Sequence, residues 1–365
     1  MYVTGLQFKN YRNLNDGIIE PSENINVIYG NNAQGKTNIL ESLWLFCGGH
    51  SFRGAKENEF IKFGENFSRI KVSFFSQNRE QEAEILYNGG KKEVTINGVK
   101  KHSSTSLIGK YTAVVFSPED LTLVKKGPSA RRRFIDSAIC RERIQNAVII
   151  SKYNQTLNQR NALLKDIYKH PELRTMLEIW DENLCNLGSK IVFQRLKYIE
   201  KIIEYAKEYH NGISDEKEKL EIKYISTCSA KKGDTIEEIY EKFKNCLKNS
   251  VNDDCRTGFT NIGPQRDDFE IIINQKKAKV FASQGQQRSA VLSLKLAEAK
   301  VLSEMTGENP VILLDDVLSE LDKKRQSFLL NEISDYQVFI TCCDFEEDEY
   351  LKHGKKFFVK EGRIN

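Results

Sequence analysis

The sequence contains no run of about 18 consecutive apolar residues, so we expect no segment that crosses a membrane. Residues 1–6 carry neither a cluster of positive charge nor a long apolar core, which argues against a secretory signal peptide. The 8 cysteines are scattered, and they form no C-x-x-C pair and no Cys/His quartet. A zinc or disulfide scaffold is therefore not expected, and a reducing cytoplasm is the simpler interpretation.

Internal repeats and long Pro- or Ser-rich linkers are absent as well. The 365 residues are enough for two domains, or for one large domain with an insertion. With 39% hydrophobic and 29% charged residues, the composition is that of a soluble globular protein. The net charge of +4 permits nucleic-acid binding but does not require it.

The period of the hydrophobic pattern changes twice along the chain. Strand-like alternation dominates up to about residue 117, and a helical period dominates from about 129 to 249. Apolar residues spaced by three and four between 173 and 203 predict a core-packing helix of about 40 residues, in which Gly188 is a potential break. The predicted strands are 69–75, 82–87, 92–96, 112–116, 269–273, 278–282, 311–314 and 337–341, and a further helix is predicted over 286–302.

The most specific motif lies between an apolar strand at 25–29 and a helix that begins near residue 37. It fits G-x-x-x-x-G-K-[ST], the phosphate-binding P-loop, and consists of Gly30, Asn31, Asn32, Ala33, Gln34, Gly35, Lys36 and Thr37. The glycines let the backbone turn tightly and direct its N–H groups at phosphate oxygens. Lys36 is expected to reach the β- and γ-phosphates of a nucleotide, and the Thr37 hydroxyl is expected to coordinate Mg²⁺.

A second apolar strand, 311–314, ends in Asp315 and Asp316, which is the Walker B arrangement. Asp315 is expected to hold Mg²⁺ opposite Thr37, and Asp316 is expected to orient a water near the γ-phosphate. The two motifs are about 280 residues apart, which predicts an ATPase core split by the helical segment. We therefore assign residues 1–117 and 253–365 to an ATPase lobe, and residues 118–252 to a helical insertion.

Residues 283–288 (SQGQQR) precede the helix predicted over 286–302. The Ser283 hydroxyl and the N–H groups around Gly285 at a positive helix end predict a second anion site. A domain with one P-loop seldom needs two phosphate sites, so we interpret this one as contacting a nucleotide held by another subunit. An ordinary helix cap is the alternative.

Taken together, the P-loop, the S-x-G-Q element and the acidic strand end resemble the ATPase head of ABC and SMC-type proteins. The resemblance narrows to the RecF family of bacterial recombinational repair proteins, through stretches that occur in order along the whole chain. They are residues 8–14 (FKNYRNL), 30–38 (GNNAQGKTN), 116–121 (FSPEDL), 159–165 (QRNALLK), 263–268 (GPQRDD) and 283–288.

The resemblance implies an α/β fold, an ABC/SMC-like P-loop ATPase head of mixed sheets with flanking helices and an inserted helical lobe. It implies that ATP and Mg²⁺ bind and that ATP joins two heads into a homodimer, in which Ser283 and Gly285 touch the γ-phosphate of the other subunit. Lys36, Asp315, Asp316 and Ser283 are the catalytic residues that it implies. Residues 319–322 match the D-loop at such an interface, and Arg12 matches the family's N-terminal arginine near the nucleotide.

The chain departs from the pattern of its ABC relatives at three places. No glutamine stands in residues 116–120, where relatives carry the Q-loop, and either Glu119 or Asp120 could substitute for it. No switch histidine occurs near Cys342 or Cys343, and Asp316 stands where a glutamate is usual. The missing histidine and the shorter carboxylate predict slow hydrolysis, that of a weak DNA-stimulated ATPase that acts as a switch.

The function that the resemblance implies is DNA repair, replication and recombination in the cytoplasm. An ATP-induced dimer would clamp gapped, single-stranded or duplex DNA and support recombinase loading, replication-fork maintenance and the SOS response, with RecR and RecO-type partners and no membrane. An ATPase subunit of an ABC-type transporter is the alternative. An SMC-like tether is not expected, because the insertion is too short for sustained heptads.

Paired and tripled cations are the candidates for DNA contacts. They are Lys100, Lys101, Lys125, Lys126, Arg131, Arg132 and Arg133. Such cations can neutralise phosphates, although a charge run is more often a solvated face, and Arg132 or Arg133 can equally form intramolecular pairs. No basic segment is interleaved with aromatic residues, so we expect binding to the DNA backbone with little sequence preference.

Overall fold

A computed structural model describes residues 1–48, 50–167, 169–343 and 354–365. The chain forms two compact units: unit 1 comprises Met1–Leu121 and Leu292–Asn365, and unit 2 comprises Thr122–Val291. Both units combine sheets with helices, so the mixed α/β architecture expected from the sequence is confirmed. Across the described residues, no helix has the length and apolar character needed to cross a bilayer.

Among the described residues, the strands form three sheets, two of six strands and one of three. In chain order they are β1 (Tyr2–Lys9), β2 (Gly17–Ile19), β3 (Ile25–Tyr29), β4 (Phe67–Ser76), β5 (Arg79–Asn88), β6 (Lys91–Ile96), β7 (Val99–Lys101), β8 (Ala113–Phe116), β9 (Leu220–Ile225), β10 (Asp268–Ile273), β11 (Lys276–Lys277), β12 (Val311–Asp315), β13 (Val338–Cys342), β14 (Lys355–Lys360) and β15 (Arg363–Ile364).

The α-helices range from a single turn to 38 residues. They are α1 (Lys36–Trp44), α2 (Thr122–Lys125), α3 (Pro128–Glu142), α4 (Ile144–Ile167), α5 (Leu177–Ser214), α6 (Ile236–Thr257), α7 (Ala278–Phe281), α8 (Gln284–Thr306) and α9 (Lys323–Glu332).

Unit 1 contains two sheets that differ in strand direction. The first has the order β2-β1-β4-β5-β6-β7 and is antiparallel, and its side chains alternate between buried and more exposed positions because one face covers the core. The second has the order β15-β14-β3-β13-β12-β8, with parallel pairing from β14 to β8. Its strands β12 and β8 are buried at every position, as parallel strands covered on both faces are. One apolar core joins residues of both sheets and α1.

The parallel register brings the polar ends of separate strands to one edge of the second sheet. Asp315 lies beside Thr341 of β13, and Leu314 lies beside Phe116 of β8. Tyr29, the last residue before the P-loop, lies beside Cys342. Because parallel strands end at the same edge, segments that are far apart in sequence meet around the P-loop.

Unit 2 consists of α3 to α6 and the three-stranded sheet β11-β10-β9, together with the short α2 and α7 and the first turns of α8. Its main core lies between α4, α5 and α6. The long helix expected between 173 and 203 is confirmed as α5, which continues through Gly188 without a break. Gly188 is buried against Phe243 and Tyr153, where a Cβ would overlap the Phe243 ring. The glycine therefore permits close packing of helices rather than a kink.

Three sequence expectations are wrong or differ from the fold. The strand predicted over residues 278–282 is wrong: this segment forms the one-turn helix α7, because five residues are too few for the hydrophobic period to decide between strand and helix. Strand β9 lies in the part expected to be wholly helical. Unit 2 also extends to Val291, whereas the sequence placed the return to the ATPase lobe at residue 253. The reason is the pairing of β9 with β10, a long-range contact that places residues 268–273 in unit 2.

Candidate nucleotide-binding site

The P-loop connects β3 to α1 in unit 1, as the motif predicts. Gly30 has φ 143° and Gly35 has φ 110°, which are conformations that side chains with a Cβ rarely adopt. A Cβ at Gly30 would also overlap the Val359 carbonyl oxygen, and one at Gly35 would lie 2.6 Å from Leu14 Cδ2. Both motif glycines are therefore required by the backbone itself, whatever the ligand.

Lys36 is the first residue of α1, and only 8% of its surface is exposed. Its ammonium donates to the carbonyl oxygens of Gly30, at 2.6 Å, and Asn31, at 2.9 Å. The remaining contact is a long one of 3.9 Å to the Cys343 sulfur. Sulfur is a weak acceptor, so a phosphate oxygen can replace it without disturbing the two loop contacts that aim the ammonium.

Thr37 and Asp315 meet as the two motifs predict. The Thr37 hydroxyl donates to Asp315 Oδ1 at 2.8 Å, and the Thr341 hydroxyl donates to the same oxygen at 3.0 Å. Burial raises the pKa of Asp315, while the hydrogen bonds from Thr37 and Thr341 oppose the rise. A cation would relieve this cost by compensating the buried carboxylate.

The donor set at this point suits Mg²⁺. One hydroxyl and one carboxylate are hard oxygen ligands, and Mg²⁺ is commonly held by one or two carboxylates with the remaining positions filled by phosphate and water. Among the described residues, no cluster of three or more His, Cys, Asp or Glu side chains could hold a metal alone. The residues therefore fit an ion that arrives with a nucleotide.

Asp316 follows Asp315 in a left-handed conformation, with φ 54°. Its N–H donates to the Thr341 hydroxyl at 2.9 Å, and its carboxylate accepts from Ser319 at 3.2 Å. Asp316 lines a cavity of about 370 Å³ together with Lys36 and Thr37. Asp316 and the P-loop therefore border the same space, and a role of Asp316 in orienting a water remains a prediction.

Arg12 also lines this cavity, and a buried glutamate, Glu41, holds the Arg12 side chain in place. Its guanidinium contacts Glu41 Oε2 through two nitrogens, at 2.7 and 2.8 Å, and lies 5.2 Å from the centre of the Phe60 ring. Glu41 lies on α1 and is fully buried. The sequence did not identify Glu41, since a glutamate in an amphipathic helix gives no signal of a buried ion pair.

A chain of amides extends from the loop to a further cation. Asn13 donates to the Ala33 carbonyl oxygen at 3.2 Å, Asn38 donates to Asn13 at 2.7 Å, and Arg53 donates to Asn38 at 3.3 Å. Arg53 lines the cavity and adds a positive charge that the sequence did not suggest, because it lies in an irregular segment.

The S-x-G-Q element lies in unit 2, at the start of α8. Ser283 and Gln286 cap each other: the Ser283 N–H donates to Gln286 Oε1 at 2.9 Å, and the Gln286 N–H donates to Ser283 Oγ at 3.2 Å. Ser283 is exposed and Gly285 is half-buried. The ordinary helix cap is therefore present at the start of this 23-residue helix, and the anion site remains a prediction.

Two residues that the sequence missed support this helix start. Gln286 Nε2 donates to Glu218 Oε1 at 2.9 Å, and Glu218 Oε2 lies 3.1 Å from Nε2 of the buried His210 on α5. This chain of contacts anchors the Ser283 cap to the long helix of unit 2. No local pattern links residues 210, 218 and 286, so only the fold reveals it.

The comparisons with known proteins agree on one family. A family model described as the RecF/RecN/SMC N terminal domain matches residues 2–359. The DNA replication and repair protein RecF of Acetivibrio thermocellus is 41% identical over 363 residues, which cover 99% of this chain and 98% of that protein. The chain belongs to the RecF family.

Other RecF proteins and one more distant fold relative support the assignment. RecF of a Thermoanaerobacter species is 40% identical over 365 residues, covering 99% of this chain and all of that protein. A solved structure of the recombination mediator protein RecF-ATPrS of the RecFOR pathway superposes with a TM-score of 0.93 at 38% identity, covering 100% and 97% of the two chains. The Smc head domain of Pyrococcus furiosus shares the fold alone. It is 14% identical, with a TM-score of 0.57, and the match covers 100% of this chain and 95% of that chain.

In this RecF chain, the two acidic residues of the Q-loop position have different surroundings. Asp120 accepts the Ser117 N–H at 2.7 Å, and burial raises its pKa to about 6 against the opposing charge of Lys295. Glu119 is exposed, and its charge is one of the groups that act on Asp315. Glu119 is therefore the better candidate for the missing Q-loop side chain, which remains a prediction.

Cys343 occupies the position near which the resemblance suggested a switch histidine. Its thiol donates to Asn32 Oδ1 at 2.8 Å, and it lines the same cavity as Lys36. The side chain is partly exposed, so a reagent can reach it in the free protein.

Alkylation of Cys343 by a maleimide should therefore be slowed by MgATP in this RecF chain. At saturating ATP we expect a decrease in rate of about tenfold or more, because a bound nucleotide occupies the cavity that the thiol lines. Peptide mass spectrometry measures the rate, with the partly exposed Cys255 of unit 2 as the internal control. Equal protection of both cysteines, or of neither, would contradict a nucleotide at this position.

The candidate DNA contacts are not equally available. Arg131 is buried and makes a two-point ion pair with Asp268, at 2.7 Å for each contact. Lys100 pairs with Glu93 at 2.8 Å, whereas Lys125, Lys126 and Arg133 are exposed. Arg131 is consequently a structural residue, and the sequence run of three arginines contains at most two that could meet a ligand.

Proposed function

We propose that this chain is an ATP-dependent DNA-binding protein of recombinational repair. The observation that carries the proposal is that Lys36 and Thr37 line one cavity and that Thr37 is hydrogen-bonded to Asp315, in a chain of the RecF family. Relatives solved as RecF-ATP and RecF-ATPrS support ATP as the nucleotide. Mg²⁺ would supply the positive charge that bridges the triphosphate, and Thr37 and Asp315 would hold it.

Each side chain of the site has a definable role in this proposal. Lys36 binds the terminal phosphates, and the N–H groups of residues 30–35 and the start of α1 bind the remaining oxygens. Arg12 is held by Glu41 at the rim, where its charge favours an anionic ligand. Asp316 accepts a hydrogen bond from the attacking water and orients it. Its short side chain and the lack of a histidine at Cys342 or Cys343 are consistent with slow hydrolysis, suited to a switch rather than a pump.

We further infer that two copies of the chain complete the site. The exposed Ser283 and the half-buried Gly285 would contact a γ-phosphate bound in the second copy, with Ser319 and Asp322 of the D-loop close to the interface. ATP would thereby close a homodimer around gapped, single-stranded or duplex DNA, and slow hydrolysis would release it. The proposed partners are RecR and RecO-type proteins, and the proposed processes are recombinase loading, fork maintenance and the SOS response. A relative named as the recombination mediator RecF of the RecFOR pathway supports this part of the proposal. An ABC transporter subunit is not favoured, given full-length relatives named as RecF.

The composite site predicts different behaviour for two nearly isosteric variants. Ser283→Asp and Ser283→Asn both retain a side-chain oxygen that can cap α8. Only the aspartate places a negative charge against the γ-phosphate of the other subunit. We expect Ser283→Asp to bind ATP as the wild type does but to dimerise about 100-fold more weakly or worse, since juxtaposed like charges cost several kcal/mol.

Size-exclusion chromatography with light scattering, with and without ATP, measures this difference. Ser283→Asn is the matched control and should keep most of the ATP-dependent dimer. A wild-type chain that stays monomeric in ATP would disprove the composite site. So would equal dimerisation of the two variants.

A further inference from the structure

Unit 2 contains a cavity of about 300 Å³ that has no part in nucleotide binding. One wall is a single face of α3, where Ser129, Arg132, Arg133 and Asp136 recur at helical spacing. The cavity is also lined by Arg195 from α5. Arginines therefore outnumber carboxylates in the lining, and the question is which of them are already neutralised.

Asp136 is the carboxylate of the cavity, and Arg195 occupies it completely. Two nitrogens of Arg195 contact the two oxygens of Asp136, each at 2.8 Å, and a third donates to the Pro264 carbonyl oxygen at 2.7 Å. The buried Arg195 is thus satisfied and holds the wall in place. Both carboxylate oxygens of Asp136 are therefore paired with Arg195 rather than with Arg132 or Arg133.

The neighbouring aspartates are occupied as well. Asp268 is held by Arg131 through two contacts, and Asp267 accepts from the Thr227 N–H, the Thr227 hydroxyl and the Tyr224 hydroxyl, at 2.7 to 2.8 Å. Arg132 finds only the Asp267 carbonyl oxygen, at 2.9 Å. Burial, together with the charge of Arg195, lowers the pKa of Arg132, although the charges of Asp268, Asp136 and Asp267 oppose this shift.

Arg133 stands beside it without a counter-charge: within the described ranges, neither Arg132 nor Arg133 has a carboxylate partner. Two adjacent guanidinium groups therefore line one cavity without a carboxylate in contact with either. A guanidinium presents its N–H groups in a fork that matches the oxygens of a phosphate.

The opposite wall is rigid. The Tyr153 hydroxyl donates to Gln265 Oε1, and Gln265 Nε2 donates to the Ile262 carbonyl oxygen at 2.9 Å. Gly263 has φ 127°, and a Cβ there would lie 2.6 Å from the Tyr153 hydroxyl oxygen. The cavity is therefore formed before any ligand arrives, which lowers the cost of ordering on binding.

We propose that this cavity binds a backbone phosphate of DNA through Arg132 and Arg133. The inference rests on the proposed function and identifies a DNA-contact site for it. The volume exceeds one phosphate, which leaves room for the attached sugar. The one aromatic ring in the lining, Tyr153, is buried and already hydrogen-bonded, so no ring is offered for stacking on a base. Binding is thus to the backbone, without sequence preference.

The test uses the full chain and the double variant Arg132→Gln/Arg133→Gln. Fluorescence anisotropy with labelled single-stranded, duplex and gapped oligonucleotides in MgATP measures DNA binding. The affinity should fall roughly 10- to 100-fold for all sequences, and the slope of log affinity against log salt concentration should become shallower by about two. Arg133→Gln alone should show about half of the change in slope. Because Arg133 is exposed, this single variant should fold normally and keeps the test valid if the double variant misfolds. Arg256→Gln, an exposed arginine of α6 paired with Asp253, is the matched control and should bind DNA normally.

The outcomes separate this proposal from the broader one. If the arginine variants bind every oligonucleotide as tightly as the wild type, with an unchanged salt slope, the phosphate site is disproved and the ATP-dependent DNA clamp stands. If the wild type binds no DNA with or without ATP, the proposed function itself fails. Inorganic phosphate and free ATP, each at millimolar concentration, are added as competitors of the oligonucleotide. Inorganic phosphate that binds at Arg132 without any effect on DNA affinity would overturn the assignment to DNA.

Discussion

Replacing Lys36 by methionine is expected to abolish ATP binding at ordinary nucleotide concentrations, and with it dimerisation and ATP-dependent DNA binding. Methionine keeps the length of the side chain but removes the ammonium that the carbonyl oxygens of Gly30 and Asn31 aim at the cavity. Loss of a charge-assisted contact to phosphate in a mostly buried site costs about 3–4 kcal/mol, which corresponds to roughly 100- to 1,000-fold in affinity. The effect on DNA should follow, because in the proposed mechanism ATP closes the dimer.

Three measurements on the same preparation test this coupling. Isothermal titration calorimetry measures ATP binding, light scattering measures the dimer, and anisotropy measures DNA binding with and without ATP. Lys110→Met removes an exposed lysine of unit 1 and should leave all three unchanged. Undiminished ATP-stimulated DNA binding in Lys36→Met would contradict the coupling of nucleotide and DNA.

Replacing Arg160 by methionine is expected to lower the free energy of unfolding of unit 2 by about 3–5 kcal/mol, although Arg160 is not one of the proposed ligand-binding residues. Arg160 is completely buried on α4, where it contacts Asp181 at 2.6 Å, Asp254 at 2.8 Å and the Thr260 hydroxyl at 2.8 Å. Burial disfavours the charge, but Asp181 and Asp254 hold the pKa of Arg160 above its ordinary value. Removing the cation leaves the fully buried Asp254 uncompensated, which is the costly way to break such a pair.

Tryptophan fluorescence offers a local measurement of this destabilisation. The sequence contains 2 tryptophans, Trp44 in unit 1 and Trp180 in unit 2, next to Asp181. In a Trp44→Phe background, the urea midpoint of Trp180 should fall sharply in Arg160→Met. Arg256→Met breaks only an exposed ion pair and should change stability by less than about 1 kcal/mol. A midpoint as high as the control's would show that the buried network does not hold unit 2 together.

The P-loop and Walker B parts of the candidate site were readable in the sequence because their geometry is local or nearly so. The P-loop needs its glycines at fixed places, and Gly30 and Gly35 indeed lie in conformations reserved for glycine. Asp315 could be placed opposite Thr37 because apolar parallel strands end at a common edge, and the two side chains are hydrogen-bonded. The long helix of unit 2 was likewise evident from its period.

The parts that escaped prediction depend on contacts between distant residues. Arg53 lines the nucleotide cavity and Glu41 holds Arg12 at it, but their polar side chains carry no sequence signal of burial or of a pocket. The segment 278–282 and strand β9 are short, so hydrophobic period could not decide their structure. The end of unit 2 at Val291 follows from the pairing of β9 with β10, which no local pattern encodes.

The run of three arginines shows the limit most clearly. By sequence Arg131, Arg132 and Arg133 are equivalent cations at the start of a helix. In the fold, helical rotation turns Arg131 onto Asp268, while Arg132 and Arg133 reach a cavity whose carboxylates are already paired. The sequence by itself determined which chemistry this chain carries, because phosphate-binding backbone and strand-end carboxylates require particular residues at short spacings. Only the tertiary structure decided which of these arginines has a carboxylate partner, because that depends on partners brought together from more than 100 residues away.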